Sequence, residues 1–187
     1  MTPITTVDGI LELYAVRGDH HYGEDVSQTA HALQCAALAR HDGAPDALVC
    51  AALLHDVGHL AGGDGAADHP GDLDDDHHDA IGARLIASVF GPRVAAPVAL
   101  HVTAKRWRCA VEPAYLDQLT AASRASLLAQ GGPLDEAART RFEAHPSFAD
   151  AVRLREWDDL AKDPSLAIGT IAEHRSMLER LAASWRN

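Results

Sequence analysis

Apolar residues recur along this chain at intervals of three and four, and no stretch alternates apolar and polar residues as a half-buried strand would. With Gly, Pro and capping residues as breaks, the pattern predicts helices over 5–16, 27–42, 46–57, 78–90, 92–107, 113–119, 121–130, 135–144, 147–161 and 168–185. The expected fold is all-α: a compact helical bundle with any site lying between helices. No repeat at solenoid periods is present, and no Ser/Gly/Pro linker divides the chain, so residues 1–187 read as a single domain.

One segment breaks the helical rhythm. From Ala61 to Asp79 the chain carries four Gly, one Pro and seven Asp with no Lys or Arg. That is too polar to pack and too flexible for a helix, so a solvated loop is expected, with a lid beside the site as the other reading. Asp72, Asp74 and Asp76 resemble a calcium loop, but His77 stands where that motif requires Gly, and calcium is set aside.

Composition narrows the partners. With 47% hydrophobic residues the chain can bury one good core, and 16 basic against 27 acidic residues give a net charge of -11. Such a surface excludes nucleic acid and anionic membrane as partners and leaves an anionic substrate dependent on metal and a few placed cations. Cys35, Cys50 and Cys109 are odd in number and lie in apolar helical contexts, so buried free thiols are expected. No leader-like start and no apolar run near the ~20 residues of a membrane span are present. A cytoplasmic protein is the expectation, with its oligomeric state open.

The chemistry lies in a set of imidazoles and carboxylates. His31, the adjacent His55 and Asp56, His78, His101 and Asp158 are spaced so that a two-metal site can form between helices. His31 falls among apolar neighbours at helical intervals. His55 and Asp56 end the apolar run from Leu48 to Leu54, and Gly58 is expected to stop that helix in a left-handed conformation. A buried His and Asp side by side at a helix end are costly without a cation. His77 and His78 compete for one place, and His78 is preferred because its spacing to Gly82 lets a close helix contact form beside it. His101 and Lys105 stack one turn apart, and Asp158 sits beside Trp157 and Leu154, with Asp159 as its solvated twin.

With Val57, Gly58 and His59 after the doublet, this pattern resembles the HD-domain superfamily. It is closer still to the mixed-valent di-iron oxygenases of organophosphonate breakdown. The residues that carry the likeness are Tyr22 to Glu24, Val26 to Gln28, His31 to Gln34, His101 to Arg106, Gln130 to Gly132 and Arg155 to Asp159. The resemblance implies an HD-type bundle holding two Fe ions, mixed-valent Fe(II)/Fe(III), with dioxygen as co-substrate. His31, His55, Asp56 and Asp158 would hold one iron, and Asp56, His78 and His101 the other. It further implies oxidative cleavage of the C–P bond of a 1-hydroxy-2-aminoethylphosphonate, with a primary or trimethylated amine, to phosphate and glycine or glycine betaine.

By the same resemblance His59, Lys105, Ser123 and Arg155 hold the phosphonate, a role suited to a forked guanidinium and a point-charge ammonium. Lys105 and Arg155 could instead neutralise buried carboxylates such as Asp158, and Ser123 could cap a helix. Tyr22 would occupy an open iron position and Glu24 would contact the ammonium. Here they are separated by one residue, a shorter gap than the family leads one to expect, so a surface Tyr22 and a helix-start Glu24 remain alternatives. A trimethylammonium group would favour aromatic faces, for which Tyr14, Tyr22, Trp107, Tyr115 and Trp157 are the candidates. The rival activity is a metal-dependent phosphohydrolase acting on a small phosphoester. A non-catalytic HD module is disfavoured because no ligand is missing.

Overall fold

The computed structural model describes residues 4–21, 25–61 and 78–186. Among these residues there are eleven α-helices, one 3-10 turn and no strand, and the all-α expectation holds. The helices are α1 (Val7–Arg17), α2 (Gln28–His41), α3 (Asp46–Leu54), α4 (Val57–Ala61), α5 (His78–Phe90), α6 (Pro92–Val111), α7 (Tyr115–Gln118), α8 (Ala121–Ala129), α9 (Glu136–Glu143), α10 (Phe148–Leu160) and α11 (Arg175–Arg186).

At the centre lies α3, apolar on every face and buried from Ala47 to Leu54. Such a helix can only be stable with neighbours all round it. It packs against α2, α6, α10 and α11, while α6 lies between α5 and α10. The main core joins α1, α2, α3, α5, α6, α10 and α11 in one cluster. A smaller cluster of Ala104, Leu134, Phe142 and Ala151 closes the far side of α6. Helix starts are set by local chemistry: Thr6, Ser27, Thr120 and Asp135 each accept a hydrogen bond from a first-turn N–H of α1, α2, α8 and α9.

Three boundaries differ from the periodicity. The helix expected over 46–57 is two helices, because the chain breaks at His55 and Asp56 and α4 begins at Val57. Helix α6 runs to Val111 and stops at Glu112, which is extended because Pro113 forbids it a helical conformation. The last helix starts late: residues 171–174 form a 3-10 turn, and α11 follows from Arg175.

Gly58 does not stop a helix. It is absent from the positive-φ glycines and lies inside α4, where a β-carbon would fall 1.9 Å from the carbonyl oxygen of His78. Gly82 of α5 faces it, with its own β-carbon position 3.1 Å from the Gly58 nitrogen. Two glycines thus let α4 and α5 touch backbone to backbone, the close contact expected beside His78. Of the solvated loop expected from 61 to 79, with a lid as its other reading, residues 62–77 lie outside the described residues, as do the alternative ligand His77 and both Tyr22 and Glu24. Among the described residues no helix is long and apolar enough to cross a membrane.

Candidate metal centre

Five places in the fold together deliver the six residues of a buried polar pocket. His31 comes from the first turn of α2, His55 and Asp56 from the break between α3 and α4, His78 from the first residue of α5, His101 from the middle of α6 and Asp158 from α10. His31, His55, His78, His101 and Asp158 are all buried, and the Asp56 side chain is 16% exposed.

The imidazoles fall into two pairs. The Nε2 atoms of His31 and His55 are 3.2 Å apart, as are those of His78 and His101. Asp56 stands between the pairs and turns one oxygen to each. Its Oδ2 is 3.7 Å from His31 Nε2 and 3.4 Å from His55 Nε2; its Oδ1 is 3.9 Å from His78 Nε2 and 3.5 Å from His101 Nε2. Asp158 joins the first pair alone, 3.3 Å from His31 and 3.8 Å from His55.

The donor set calls for cations. His31, His55 and His101 each direct Nδ1 at a carbonyl, of Ala161, Ala52 and Val98, at 2.8, 3.0 and 2.7 Å. A carbonyl only accepts, so these Nδ1 atoms carry hydrogen and the neutral rings present bare lone pairs at Nε2. Lone pairs of His31 and His55 facing each other at 3.2 Å repel unless a positive charge lies between them, and His101 turns its own lone pair on His78 Nε2 at the same distance. A transition-metal ion ~2.1 Å from two imidazole nitrogens holds them ~3.0 to ~3.4 Å apart, the separation found in both pairs. The carbonyl partners are also the outer contacts that orient metal-ligating histidines.

Electrostatics point the same way. Burial opposes a charge on His31 and His55, yet Cys35 and Asp158 around the first and Asp56 and Asp158 around the second raise them to about 10 and about 9. Burial likewise opposes ionised Asp56 and Asp158, but His55 and Arg155 respectively outweigh it and hold both carboxyls well below their usual range. His101 is pushed well down by burial and by His78 and His55. The pocket holds negative charge in the interior and draws in positive charge, as protons or as metal.

A cationic wall adjoins it. Arg155 bonds Asp158 Oδ2 at 2.6 Å and also bonds Asp159, so the reading that it neutralises buried carboxylates is met. Asp159 is not the solvated twin expected: it also accepts from Tyr115 at 2.6 Å and from Arg108 at 3.0 Å. Lys105 behaves differently, being buried, bonded to Ser126 Oγ at 2.8 Å and in no ion pair among the described residues. Burial, then Arg155, lowers its ammonium to about 8. Ser123 does not cap α8; Thr120 does, accepting from the Ser123 nitrogen, and the Ser123 hydroxyl accepts from Lys162 at 3.0 Å. His59 stacks on His78 with ring centres 3.9 Å apart.

Several residues here escaped the sequence reading. Cys35 sits one turn after His31 with its sulfur 3.8 Å from His31 Nε2, and Ser126 and Lys162 join the wall. For Cys35 and Ser126 the signal was helical spacing, four residues after His31 and three after Ser123; Lys162 lies past the end of α10 and had none. Of the three thiols Cys35 and Cys50 are buried and Cys109 is half-buried; all are free. The aromatic candidates are engaged elsewhere. Tyr14 donates to the Leu53 carbonyl, Trp107 packs on Phe142 and Phe148, Tyr115 bonds Asp159, and Trp157 donates to Asp42.

Comparison with known proteins shows the family. The HD domain family model matches residues 28–140. The chain is 38% identical to a hydroxymethylphosphonate dioxygenase of Gimesia maris over 95% of its own length and 89% of the relative's. It is 33% identical to a glycine-betaine-forming [1-hydroxy-2-(trimethylamino)ethyl]phosphonate dioxygenase of Leisingera caerulea, over 94% and 89%. An uncharacterised protein of Acanthamoeba polyphaga mimivirus is 34% identical over 98% and 85%. A matched family model over most of the chain, relatives aligned nearly end to end, and a His and Asp pocket drawn from five places in the fold lead to one conclusion: the chain belongs to the HD domain family.

Proposed function

We propose that this chain is an iron-dependent dioxygenase that cleaves the C–P bond of a small 1-hydroxyphosphonate. The observation that carries it is Asp56, whose two oxygens each face a separate imidazole pair, beside a wall of Lys105, Ser123 and Arg155 suited to an anion. The names of the two phosphonate relatives share one chemical unit, a carbon bearing both hydroxyl and phosphonate. That shared unit is the substrate class proposed here. The whole chain, residues 1–187, would act as one HD unit.

In this reading His31, His55, Asp56 and Asp158 would hold one iron and Asp56, His78 and His101 the other, imidazole with carboxylate being a donor set that suits iron. A mixed-valent iron pair supplies the redox chemistry that dioxygen needs. The chain's own residues bind, orient and shield. Lys105 and Arg155, with Ser123 and His59, grip the phosphonate oxygens by charge-assisted hydrogen bonds. They thereby hold the hydroxyl-bearing carbon against the ions, and the buried helices keep bulk water out. The balance is simple: the C–P and C–H bonds of the substrate break, both atoms of one dioxygen enter the products, and a carboxylate, phosphate and one proton result. Tyr22 and Glu24 would serve the other end of the substrate and set which amine, if any, is accepted.

The test is anaerobic loading with iron followed by oxygen, with hydroxymethylphosphonate, 2-amino-1-hydroxyethylphosphonate and the trimethylated analogue each supplied in turn. Phosphate release that needs both iron and oxygen is expected from at least one. Hydrolysis of a phosphomonoester without oxygen, supported by manganese or cobalt, would replace this reading by the phosphohydrolase.

A further inference from the structure

The anion wall has a second lysine, and its backbone is tied to the metal pocket. Residues 161–163, just past α10, are held from α2 at two points. His31 Nδ1 donates to the Ala161 carbonyl at 2.8 Å. One turn on, Gln34 donates to the Asp163 carbonyl at 2.8 Å and accepts from the Asp163 nitrogen at 3.1 Å. Lys162 lies between these clamps, and its ammonium donates to Ser123 Oγ at 3.0 Å.

One turn further along the same face of α8 stands Lys105. Its ammonium donates to Ser126 Oγ at 2.8 Å, and that hydroxyl passes its own hydrogen to the Ser123 carbonyl at 3.0 Å. An ammonium has three N–H donors, and one bond to a hydroxyl leaves a buried Lys105 short of acceptors. Buried charge without a carboxylate partner marks a place that an anion completes. Ser123 lies three residues before Ser126, the partner of Lys105, on the same helix face. Because its oxygen already accepts from Lys162, its hydroxyl hydrogen points away from that lysine, and donation to a cation-polarised hydroxyl chain strengthens the next bond.

We propose that Lys162 is a positioning residue for anion recognition: it fixes and polarises the Ser123 hydroxyl so that Ser123 donates to the substrate's phosphonate beside Lys105. The proposal rests on the function proposed above for the identity of the anion. Since the clamp on Ala161 also orients His31, the segment sets the distance between phosphonate grip and metal.

Iron-loaded wild type, Lys162→Gln, Lys162→Arg, Ser123→Ala and the double variant would be compared. Inorganic phosphate binding by calorimetry is the first readout, and KM and kcat for the phosphonate are the second. Expected are an about tenfold weaker phosphate affinity and higher KM in Lys162→Gln, a much smaller change in kcat, and partial recovery in Lys162→Arg. In the Ser123→Ala background Lys162→Gln should add little, because the lysine acts through that hydroxyl. Iron content and unfolding temperature equal to wild type would show that the fold is intact. Unchanged phosphate affinity in Lys162→Gln, or the full Lys162 effect persisting without Ser123, overturns the proposal. Phosphate binding needs no turnover, so wild type that binds phosphate through Lys162 yet never cleaves a phosphonate would overturn the function and spare this inference.

Discussion

The α-carbon of Gly58 sits so close to His78 that a single added methyl would fall 1.9 Å from the His78 carbonyl oxygen. Helices α4 and α5 touch there, with Asp56 two residues before the glycine and His78 opening α5. Gly58→Ala must therefore push α5 away and carry His78 from Asp56. A stability loss of about 1 to 3 kcal/mol is expected from the overpacking, and with the two-iron site proposed above, iron per chain should fall from two toward one. Metal analysis beside urea unfolding checks both; a fully loaded variant would show that α5 moves without its histidine.

Asp56 and His101 should differ in what their loss removes. Asp56 turns an oxygen to each imidazole pair, whereas His101 belongs to one pair only. Asp56→Ala is expected to empty both positions and His101→Ala to empty one. In either case the added iron should raise the unfolding temperature less than in wild type, since stabilisation by a ligand scales with its binding to the folded state. Iron counts of wild type in Asp56→Ala would refute the shared carboxylate.

Lys105 predicts a pH dependence. Burial, reinforced by Arg155, pushes its ammonium down to about 8. Below that value the group is charged and attracts an anion; as pH rises through it the proton is lost and the attraction with it. A bound anion favours the charged form, so affinity for phosphate or phosphonate should be highest below about 8 and weaken steadily above it. Nearby iron would move the fall to lower pH. Lys105→Gln should bind weakly at all pH values and lose this step. Calorimetric titration with phosphate from pH 6 to about 10 is the measurement.

How far the sequence reached can be told from particular residues. His31, His78, His101 and Asp158 were legible because each sits on an apolar helix face where a polar side chain needs a reason, and His55 because it ends the apolar run from Leu48 to Leu54. Residues with that signature were brought together as expected. Gly58 was misjudged because a helix stop and a helix crossing use the same residue, and only the position of a second element tells them apart. Asp159 was assigned to solvent because adjacent helical positions face different ways. The structure shows that its outward face meets Arg108 and Tyr115. Lys162 lies past a helix end, where periodicity carries no information; its place is set by long-range bonds from Gln34 and His31 to its neighbours.

Asp159 offers the sharpest check on the wall behind the metal pocket. Its carboxylate receives Arg155, Arg108 and Tyr115, and its side chain is 20% exposed. Arg155 is 3% exposed, and Asp158 and Asp159 balance its buried charge. Asp159→Asn removes a negative charge from between two arginines and leaves Arg155 leaning on Asp158 alone. Breaking a buried pair costs ~3 to ~5 kcal/mol, and the exposure of Asp159 lowers the expectation to about 2 kcal/mol. The same change pulls Arg155 toward the carboxylate that faces His31 and His55, so phosphonate KM should rise while iron content stays close to wild type. Urea unfolding and steady-state kinetics read the two effects separately. A variant as stable as wild type would mean that water replaces the carboxylate and that Arg155 is held by Asp158 alone.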